Sequence, residues 1–375
     1  MPAMRLALRE IRRAKLRFGL LTGAVGLLVF LILFQQTLLS TLLGFFTGAL
    51  EHQSAEVVVY NDEARRNVEG SVVTADQVDA VAAVEGVARA EPLGEGTFTV
   101  EADGELTDAV LFGYVLGGPG APTRLSDGRL PERDGEGVAS SIDRDRGFDL
   151  GDEVVVQPGG VPIRIVGLAE ESRFSVLPAV FVTYATFEEA KSARNPDSAG
   201  VLPSLVAVQP ADGVEPEALA ARITAAVEGV EALDRATAVE ELPGVSSVSQ
   251  SFSVILALAF VVVALVTGIF FVILTVQKAT SLALLRAVGA GAGYLTAALL
   301  VQVVLVVLGG IGVGTALLGL AAAASGAEFP ISVEPSVVAT RGAAVAALAL
   351  LASLAAIRRV LRIDPFEATT RPGAT

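Results

Sequence analysis

Few side chains in this sequence could do chemistry, and their types exclude most forms of catalysis. Cysteine is absent, which excludes a thiolate nucleophile and a thiolate metal site. Histidine occurs once, at His52. A hydrolase triad would need it as the base, and no Gly-x-Ser-x-Gly turn accompanies it. A lone histidine beside Glu51 is more typical of a surface position than of a metal ligand. We therefore expect no catalytic residue and no metal site on this chain.

Nucleotide hydrolysis is the next chemistry to consider. A P-loop needs Gly-x-x-x-x-Gly-Lys-Ser/Thr, because its backbone cradles the phosphates and its lysine contacts them. The three lysines are Lys15, Lys191 and Lys278, and none follows a glycine. The chain is therefore expected to bind neither ATP by this route nor any other cofactor. An ATPase that works with it must be a separate chain.

Two short segments combine leucines with basic residues. Residues 278–290 predict an amphipathic helix whose apolar side chains (Leu282, Leu284 and Leu285) need cover, either from lipid headgroups or from another protein. Residues 1–17 predict a basic amphipathic helix, suited to membrane lipid of the anionic inner leaflet or to a cytoplasmic partner. Neither pattern decides between lipid and protein. Both segments are candidate contact surfaces.

The elements that must position these segments are membrane spans. The chain has 375 residues, of which 52% are hydrophobic and 18% charged, and its mean hydropathy is +0.61. A span needs about 20 apolar residues, and four segments qualify: 18–50, 251–276, 294–324 and 337–357. The first is too long for the 7–15 residue core of a signal peptide, the alternative that its basic start allows. At 1.5 Å per residue it would extend about 50 Å, which predicts a stalk beyond the bilayer.

Charge predicts the orientation of these spans. The two termini (1–17 and 358–375) and the loop 277–293 carry 12 basic and 3 acidic residues, against 15 basic and 38 acidic residues elsewhere. The positive-inside rule places these three segments in the cytoplasm of a bacterial cell membrane. Residues 51–250 and the short loop 325–336 are then outside, where the acidic surface keeps the domain soluble. No basic surface suited to nucleic acid is predicted there.

Polar and small residues inside the spans predict helix contacts. Gln35 and Gln36 lie within the first span, where an amide without a partner is costly, so each is expected to bond another helix of this chain or of a dimer mate. Gln302 has the same interpretation. Glycines spaced four apart occur at Gly19/Gly23, Gly44/Gly48 and Gly310/Gly314. Such spacing lets helices approach closely, although glycine is common in membrane helices in any case.

Residues 51–250 predict an α+β domain inserted between the first and second spans. Strands are predicted at 56–60, 97–101, 109–115, 153–156, 162–167, 179–183 and 204–208. Helices are predicted at 75–84, 187–194 and 216–227. The stretch 117–137, rich in Gly, Pro and acids, predicts a long surface loop. The fold class is thus an α-helical membrane protein with four transmembrane helices and one extracytoplasmic α+β domain.

Several motifs resemble those of one family. Residues 278–290 resemble the signature K-x-x-E-I-x-x-L-R-A-x-G-A of the FtsX-like permeases, the membrane subunits of MacB-type (type VII) ABC transporters. The tail 362–368 is similar to the family's R-x-D-P-x-E-A-L ending, and the start 6–11 is also similar. Residues 137–141 and 148–154 resemble its periplasmic core. The four spans correspond to the DevC-like subgroup.

The resemblance implies a permease that forms a homodimer and docks a cytoplasmic ABC ATPase on its 277–293 loop. The implied coupling residues are Lys278, Leu282, Leu285, Arg286, Ala287 and Gly289, and the implied dimer or helix-packing residues are Gln35, Gln36, Gly44 and Gly48. One departure is Ser281, which stands where the family has glutamate, so that coupling rests on Lys278, Arg286 and apolar packing. The family exports or extracts hydrophobic or amphipathic compounds. The alternatives are a mechanotransmission protein that activates an envelope enzyme, such as a cell-wall hydrolase, and a sensor or scaffold without an ATPase.

Overall fold

The structure is a computed structural model that describes residues 14–195, 200–277, 292–326 and 335–361. It divides into a membrane unit, Met1–Leu39 with Gln250–Thr375, and an inserted domain, Ser40–Ser249. The elements in chain order are α1 (Lys15–Glu51), β1 (Val57–Asn61), α2 (Ala75–Ala82), β2 (Val87–Ala102), β3 (Glu105–Tyr114), β4 (Leu125–Gly128), β5 (Glu136–Ser140), β6 (Glu153–Gln157), β7 (Val161–Ala169), β8 (Ala179–Thr183), α3 (Tyr184–Arg194), β9 (Leu205–Pro210), α4 (Pro216–Ala226), β10 (Val230–Asp234), α5 (Arg235–Glu240), α6 (Val245–Gln277), α7 (Ala292–Ala324) and α8 (Pro335–Leu361).

Four helices, α1, α6, α7 and α8, are long and apolar enough to cross a membrane, which confirms the predicted fold class. The first two have 37 and 33 residues, well above the roughly 20 that a bilayer core requires. Their extra length is used in the inserted domain, since the boundary between the two units falls within α1 and within α6. The sequence prediction of a stalk on the first span agrees with this division.

The membrane unit is held by close packing between α1 and α7. Glycines on α7 face valines on α1: a Cβ added to Gly310 would lie 2.5 Å from Cγ1 of Val25, and one added to Gly314 would lie 2.7 Å from Cγ1 of Val29. Gly26 on α1 faces Val313 in the same way. Because glycine has no side chain, the two backbones approach more closely than larger residues would allow. The predicted pair Gly310/Gly314 therefore packs against a helix of the same chain.

The inserted domain is built on one branched sheet. Its strand order is β10-β1-β9-β2-β3-β8-β5-β7-β4, with β6 paired to β2 and β7. The long strand β2 joins two parts of this sheet, because its first half pairs with β9 and its second half with β3 and β6. The pairs β3–β8 and β5–β7 are parallel, and the other pairs are antiparallel.

Helices cover the sheet on both of its parts. Leu219 and Ile223 of α4 and Val81 of α2 pack against β1 and β9 in one buried cluster. Phe187 and Ala190 of α3 pack against the second half of β2 and its neighbours in another. A third cluster contains buried side chains from the beginning and from the end of the domain along the chain, including Ala49 and Leu50 of α1 and Val245 of α6. The membrane helices thus contribute to the core of the inserted domain.

All seven predicted strands and all three predicted helices of this domain are confirmed, although β2 begins ten residues earlier than expected. The sequence prediction missed β4, β5, β10 and α5. The prediction that 117–137 is a surface loop was wrong for part of its length, because it contains β4 and the start of β5. Glu136, inside this stretch, is only 2% exposed. Its burial is stabilised by bonds from Arg129 and Arg133.

Candidate functional site

The loop between β7 and β8, residues 170–178, holds the end of α1 by backbone hydrogen bonds, and we call it the clasp loop. The Ala49 N–H donates to the Arg173 carbonyl at 3.0 Å. In return, the N–H groups of Ser175 and Val176 donate to the carbonyls of Phe46 and Phe45, at 3.2 and 2.9 Å. Three backbone bonds between one helix and one loop fix the loop's position along the helix, because backbone groups do not rotate away as side chains do.

Gly48 makes this close approach possible. A Cβ at Gly48 would lie 2.1 Å from the Glu171 carbonyl oxygen, a distance that no side chain tolerates. Gly44, one turn earlier, has open space where its Cβ would be. The sequence predicted Gly44 and Gly48 as one packing pair for a helix or a dimer mate. The structure separates their surroundings, with Gly48 against the clasp loop and Gly44 facing no described residue; dimer packing stays a prediction.

A buried ion pair between Arg173 and Asp143 anchors the clasp loop within the inserted domain. Arg173 donates from Nε to Asp143 Oδ2 at 2.9 Å and from Nη2 to Oδ1 at 2.5 Å. Asp143 is fully buried and the Arg173 side chain is 7% exposed. The Arg173 guanidinium also lies 4.6 Å from the ring centroid of Phe45 on α1, a cation–π geometry. A buried bidentate pair of this kind becomes costly when one partner is removed, because the other charge is left without compensation.

The backbone of the clasp loop is strained. Glu171, Ser175 and Val176 have φ values of 48°, 49° and 68°, the left-handed region that disfavours residues with a Cβ. Val176 is β-branched, for which this conformation is a clear outlier. Strained residues of this kind cost about 1–3 kcal/mol each and persist only where surrounding contacts impose them. The three backbone bonds to α1 are such contacts, so the loop's conformation depends on the helix.

His52, the single histidine, lies next to this site. Its Nε2 is 3.0 Å from Glu171 Oε2, and Arg124 Nη1 is 2.6 Å from the same oxygen. The His52 carbonyl accepts from the backbone and the hydroxyl of Thr123 at 2.8 and 2.7 Å. The side chain of His52 therefore joins the clasp loop to the residues that follow α1. Within the described part of the chain, no group of three or more potential metal ligands occurs.

Polar side chains inside the membrane unit bond between helices. Gln35 Nε2 donates to the Phe252 carbonyl on α6 at 2.8 Å. Arg341 Nη2 on α8 donates to Gln36 Oε1 at 3.0 Å. Gln35 and Gln36, two of the three glutamines that the sequence singled out, thus bond other helices of the same chain. Sequence reasoning missed Arg341, although a charged residue inside the predicted span 337–357 was the signal that could have revealed it.

A cavity of about 520 Å³ lies in the inserted domain beside β2 and α3. Glu95 lines it, is 3% exposed, and has no hydrogen-bond partner for either carboxylate oxygen. Burial raises the pKa of Glu95 to about 7, helped by the nearby charge of Glu69 and opposed by that of Lys191. Desolvation likewise lowers the pKa of Lys191, against the effect of Glu95. Sequence reasoning had no signal for Glu95, because an acid in a strand is usually exposed.

The predicted ATPase-coupling residues lie outside the described residues. These are Lys278, Leu282, Leu285, Arg286, Ala287 and Gly289, together with Ser281 at the departure from the family signature. The predicted basic helix at the N-terminus lies outside them up to residue 13. The described part of this region ends at Gln277, whose side-chain oxygen accepts from Arg17 on α1. The coupling assignment therefore stays a prediction.

Solved structures with a similar inserted domain come from two transporters. The periplasmic region of MacB from Actinobacillus actinomycetemcomitans aligns with a TM-score of 0.36 and 14% identity, covering 48% of this chain and 89% of that one. The extracellular domain of the noncanonic ABC-type transporter YknZ from Gram-positive bacteria aligns with a TM-score of 0.33 and 16% identity, covering 48% of this chain and all of that one.

Full-length relatives include permeases of Mycobacterium tuberculosis. An uncharacterized ABC transporter permease of this organism is 29% identical over 98% of this chain and 99% of the relative. A second such permease is 28% identical over 96% and 97%. The putative hemin transport system permease protein HrtB of Staphylococcus haemolyticus is 21% identical over 97% of this chain and 99% of its own length.

Two family models match consecutive parts of the chain. The MacB-like periplasmic core domain matches residues 19–226, more than half of the chain. The FtsX-like permease C-terminal model matches residues 253–365. The two matches cover the helices of the membrane unit and most of the inserted domain in the order that the fold shows. This chain therefore belongs to the MacB-like, FtsX-like family of ABC transporter permeases and is a multi-pass membrane protein.

Proposed function

We propose that this chain is the membrane subunit of an ABC transporter that couples ATP hydrolysis on a separate subunit to a conformational change of its inserted domain, and so exports or extracts a hydrophobic or amphipathic compound. The supporting observation is that both helices flanking the inserted domain enter its core. Ala49 and Leu50 of α1 and Val245 of α6 share one buried cluster with residues of the sheet. A movement of these helices is thereby passed to the domain through packed side chains.

The clasp loop gives this coupling a defined contact. Its three backbone bonds and the Gly48 contact tie the loop to one position along α1. Arg173 then connects the loop to Asp143, which follows β5. In this proposal a shift of α1 moves residues 170–178, and the buried ion pair carries the displacement into the sheet.

The partners follow from the same proposal. Both termini and the loop 277–293 lie in the cytoplasm, and the inserted domain lies outside. An ABC ATPase docks on Lys278, Leu282, Leu285, Arg286, Ala287 and Gly289, and it binds the ATP, so that this chain needs no cofactor. Two copies of the chain form the transporter, and residues 1–17 contact lipid of the inner leaflet. The chain itself is non-catalytic.

Recruitment of the ATPase is the first test. The full chain is co-expressed with candidate ATPases of the host, with Arg286→Glu in the predicted docking segment and Arg222→Glu as the control. Arg222 is an exposed arginine of the inserted domain that donates to the Glu85 carbonyl. We expect an ATPase to co-purify with the wild type and with Arg222→Glu, and at least tenfold less with Arg286→Glu. Equal recovery with both variants would contradict the docking assignment, and failure of every ATPase to bind the wild type would favour a sensor or scaffold.

Transmission through the clasp is the second test, with Gly48→Val compared with Gly44→Val. Because cysteine is absent, Glu105→Cys on the exposed start of β3 introduces a single site for a spin label. The distance between the labels of two copies then measures the separation of their inserted domains. We expect ATP to change this distance in the wild type and in Gly44→Val but not in Gly48→Val, while ATP hydrolysis continues. An unchanged response in a folded Gly48→Val protein would refute the clasp as the coupling contact. Domain movement without any export in cells would favour the mechanotransmission alternative.

A further inference from the structure

Arg341 is a charged residue in the membrane unit without a carboxylate partner. It lies in the second turn of α8, and the four predicted spans contain no Asp or Glu. Among the residues that the structure describes, no carboxylate lies within ion-pair distance of its guanidinium. Its hydrogen bond goes to Gln36 Oε1, a neutral group that uses one of the five N–H donors of an arginine. A charge held this way in an apolar unit is a candidate functional site.

The guanidinium borders a small polar cavity. The cavity measures about 110 Å³, and its polar lining consists of Gln35, Gln36, Ser253 and Arg341. Gln35 is 8% exposed and already donates to the Phe252 carbonyl, so it holds α6 in place beside the cavity. At about 30 Å³ per water, the space accommodates roughly three waters, or one phosphate or carboxylate group. Apolar side chains of α1 and α6 complete the wall.

The cavity lies toward one end of the membrane unit. Gln35 and Gln36 belong to the last turn that α1 contributes to this unit, which ends at Leu39. Ser253 is in the first turn that α6 contributes, which begins at Gln250, and Arg341 is near the start of α8. α1 and α6 therefore supply their residues from the ends that adjoin residues 40–249 in the chain, and α8 supplies Arg341 from its start. In the orientation of the proposed function, these ends of the helices face the outer leaflet, which places the cavity toward the headgroups of that leaflet.

A second arginine–glutamine pair provides a natural comparison. Arg17 on α1 donates from Nη1 to Gln277 Oε1 on α6, at the opposite end of the same two helices. That pair is exposed, and neither of its residues lines the cavity at Arg341. The same chemistry thus occurs twice, once at an exposed helix end and once beside a cavity with polar and apolar walls.

We propose that the cavity at Arg341 binds the anionic headgroup of an amphiphile, with Arg341 contacting a phosphate or carboxylate whose acyl chain lies against α1 and α6. The guanidinium suits this ligand because its planar set of donors pairs with two oxygens of one anion, and because it is more weakly hydrated than an ammonium group. Gln36 holds the guanidinium in place from one side and leaves its other donors for the ligand. This inference rests on the proposed function, for which it names the substrate class: anionic amphiphiles taken from the outer leaflet.

The test uses the full chain in nanodiscs of phosphatidylcholine with a minor share of phosphatidylglycerol. Lipids that stay bound after release from the nanodisc are counted by native mass spectrometry for the wild type, for Arg341→Gln, and for Arg222→Gln as the control, because Arg222 is an exposed arginine of the inserted domain. We expect the wild type to retain phosphatidylglycerol in preference to phosphatidylcholine. The preference should fall about tenfold in Arg341→Gln, the effect of one charge-assisted contact, and change less than about twofold in Arg222→Gln.

Each other outcome overturns the inference. Equal retention in Arg341→Gln shows that the cavity does not hold the headgroup, and an equal loss in Arg222→Gln shows that the loss of any positive charge has this effect. Displacement of the lipid by inorganic phosphate alone shows a site for free anions instead of amphiphiles. If Arg341→Gln does not fold by circular dichroism, Arg341→Lys replaces it, with an expected preference below that of the wild type. Recruitment of the ATPase is measured on the same preparations, so that a failure here with recruitment intact leaves the proposed function standing.

Discussion

The two parts of α1 are held by different kinds of contact. Within the membrane unit, Val25 and Val29 pack against Gly310 and Gly314 of α7, and the contact consists of side chains against bare backbone. In the inserted domain, the same helix exchanges backbone hydrogen bonds with the clasp loop, supported by Arg173. The difference follows from the solvent. A loop with free backbone groups is costly in hydrocarbon, so helices there meet by packing and by side-chain hydrogen bonds, whereas next to water a loop can bond a helix directly.

Buried charge follows the same division. The ion pairs found among the described residues all lie in the inserted domain, and four of them contain one of two fully or almost fully buried acids, Asp143 and Glu136. The helices of the membrane unit use the neutral amides Gln35, Gln36 and Gln277 as hydrogen-bonding groups, and two arginines, Arg341 and Arg17, donate to Gln36 and Gln277. The inserted domain therefore contains ion pairs that respond to pH, and the membrane unit is held by packing and by hydrogen bonds to neutral groups.

The largest effect is expected at the buried ion pair of the clasp. Replacing Arg173 with methionine leaves Asp143 buried without its bidentate partner, which costs about 3–5 kcal/mol. The matched control is Arg146→Met. Arg146 contacts the same Asp143 at 3.3 Å, but its side chain is 47% exposed, and exposed pairs contribute about 0–1 kcal/mol. Thermal unfolding of the inserted domain, followed by circular dichroism in nanodiscs, should shift by roughly 6–20 °C for Arg173→Met. Similar shifts of the unfolding temperature for both variants would show that the buried Arg173–Asp143 pair stabilises the clasp loop no more than an exposed pair does.

The next largest effect is expected from Glu95, on the pH dependence of folding stability. Its pKa of about 7 in the folded protein exceeds the ordinary value of 4.5, so between these values the folded state binds more protons than the unfolded state. Stability should therefore fall as pH rises from about 4.5 to 7 and level off above that, by about 3 kcal/mol in total. Glu95→Gln should remove this dependence and raise stability at pH 8, and Glu101→Gln, an exposed position of the same strand, should not. Urea unfolding between pH 5 and 8 measures both.

Glu136 provides the opposite sign within the same domain. The hydrogen bond from Arg129, with those from the Glu132 backbone and from Arg133, lowers the pKa of Glu136 to about 2. Its contribution is present above pH 4.5 and is lost as pH falls toward 2. The pH range 5–8 therefore separates the effect of Glu95 from that of Glu136. A pH profile that rises through this range would contradict the burial of an unpaired carboxyl at Glu95.

The smallest effect is expected at the packing contact between α1 and α7 in the membrane unit. Gly314→Ala places a methyl group 2.8 Å from Cβ of Val29 and 2.9 Å from the Gly26 carbonyl oxygen, an overpacking that costs about 1–3 kcal/mol. Gly312, on another face of α7, has no neighbour within 4 Å of an added Cβ, so Gly312→Ala should be neutral or slightly stabilising. Both variants should respond to temperature in the same way at pH 5 and pH 8. A loss of thermal stability in Gly314→Ala that differs between pH 5 and pH 8 would contradict the distinction between the two units.

The local sequence was sufficient for most of the fold. Apolar length identified the four helices, and alternation identified seven strands of the inserted domain. β10 was missed because its residues and those around it, rich in Glu, Ala and Leu, favour helix, and only pairing with β1 makes it a strand. β4 was missed because all four of its residues are exposed, so that no hydrophobic alternation marks it. In each case tertiary contacts override or replace a local signal.

The candidate sites, like the fold, could be predicted only in part from the sequence. The sequence drew attention to Gln35, Gln36 and Gly48 by the cost of a polar group in lipid and by glycine spacing, but it assigned Gly48 to helix packing together with Gly44. The contacts of the clasp loop could not be predicted, because Phe45 lies far before Asp143 in the chain, Arg173 lies 30 residues after Asp143, and no local pattern connects them. Arg341 had a sequence signal, a charge in a span, and the structure added its partner and its cavity.

What the sequence by itself determined is the division of the chain between lipid and water: four apolar helices, an inserted acidic domain and a basic charge bias, since hydropathy and charge are properties of each residue alone. What only the tertiary structure decided is where the two parts of α1 are held. Gly48 and Gly310 are both glycines in apolar helices, and nothing local distinguishes them. One faces a carbonyl of a strained loop and the other faces a valine, because close contacts depend on which distant segments the fold brings together.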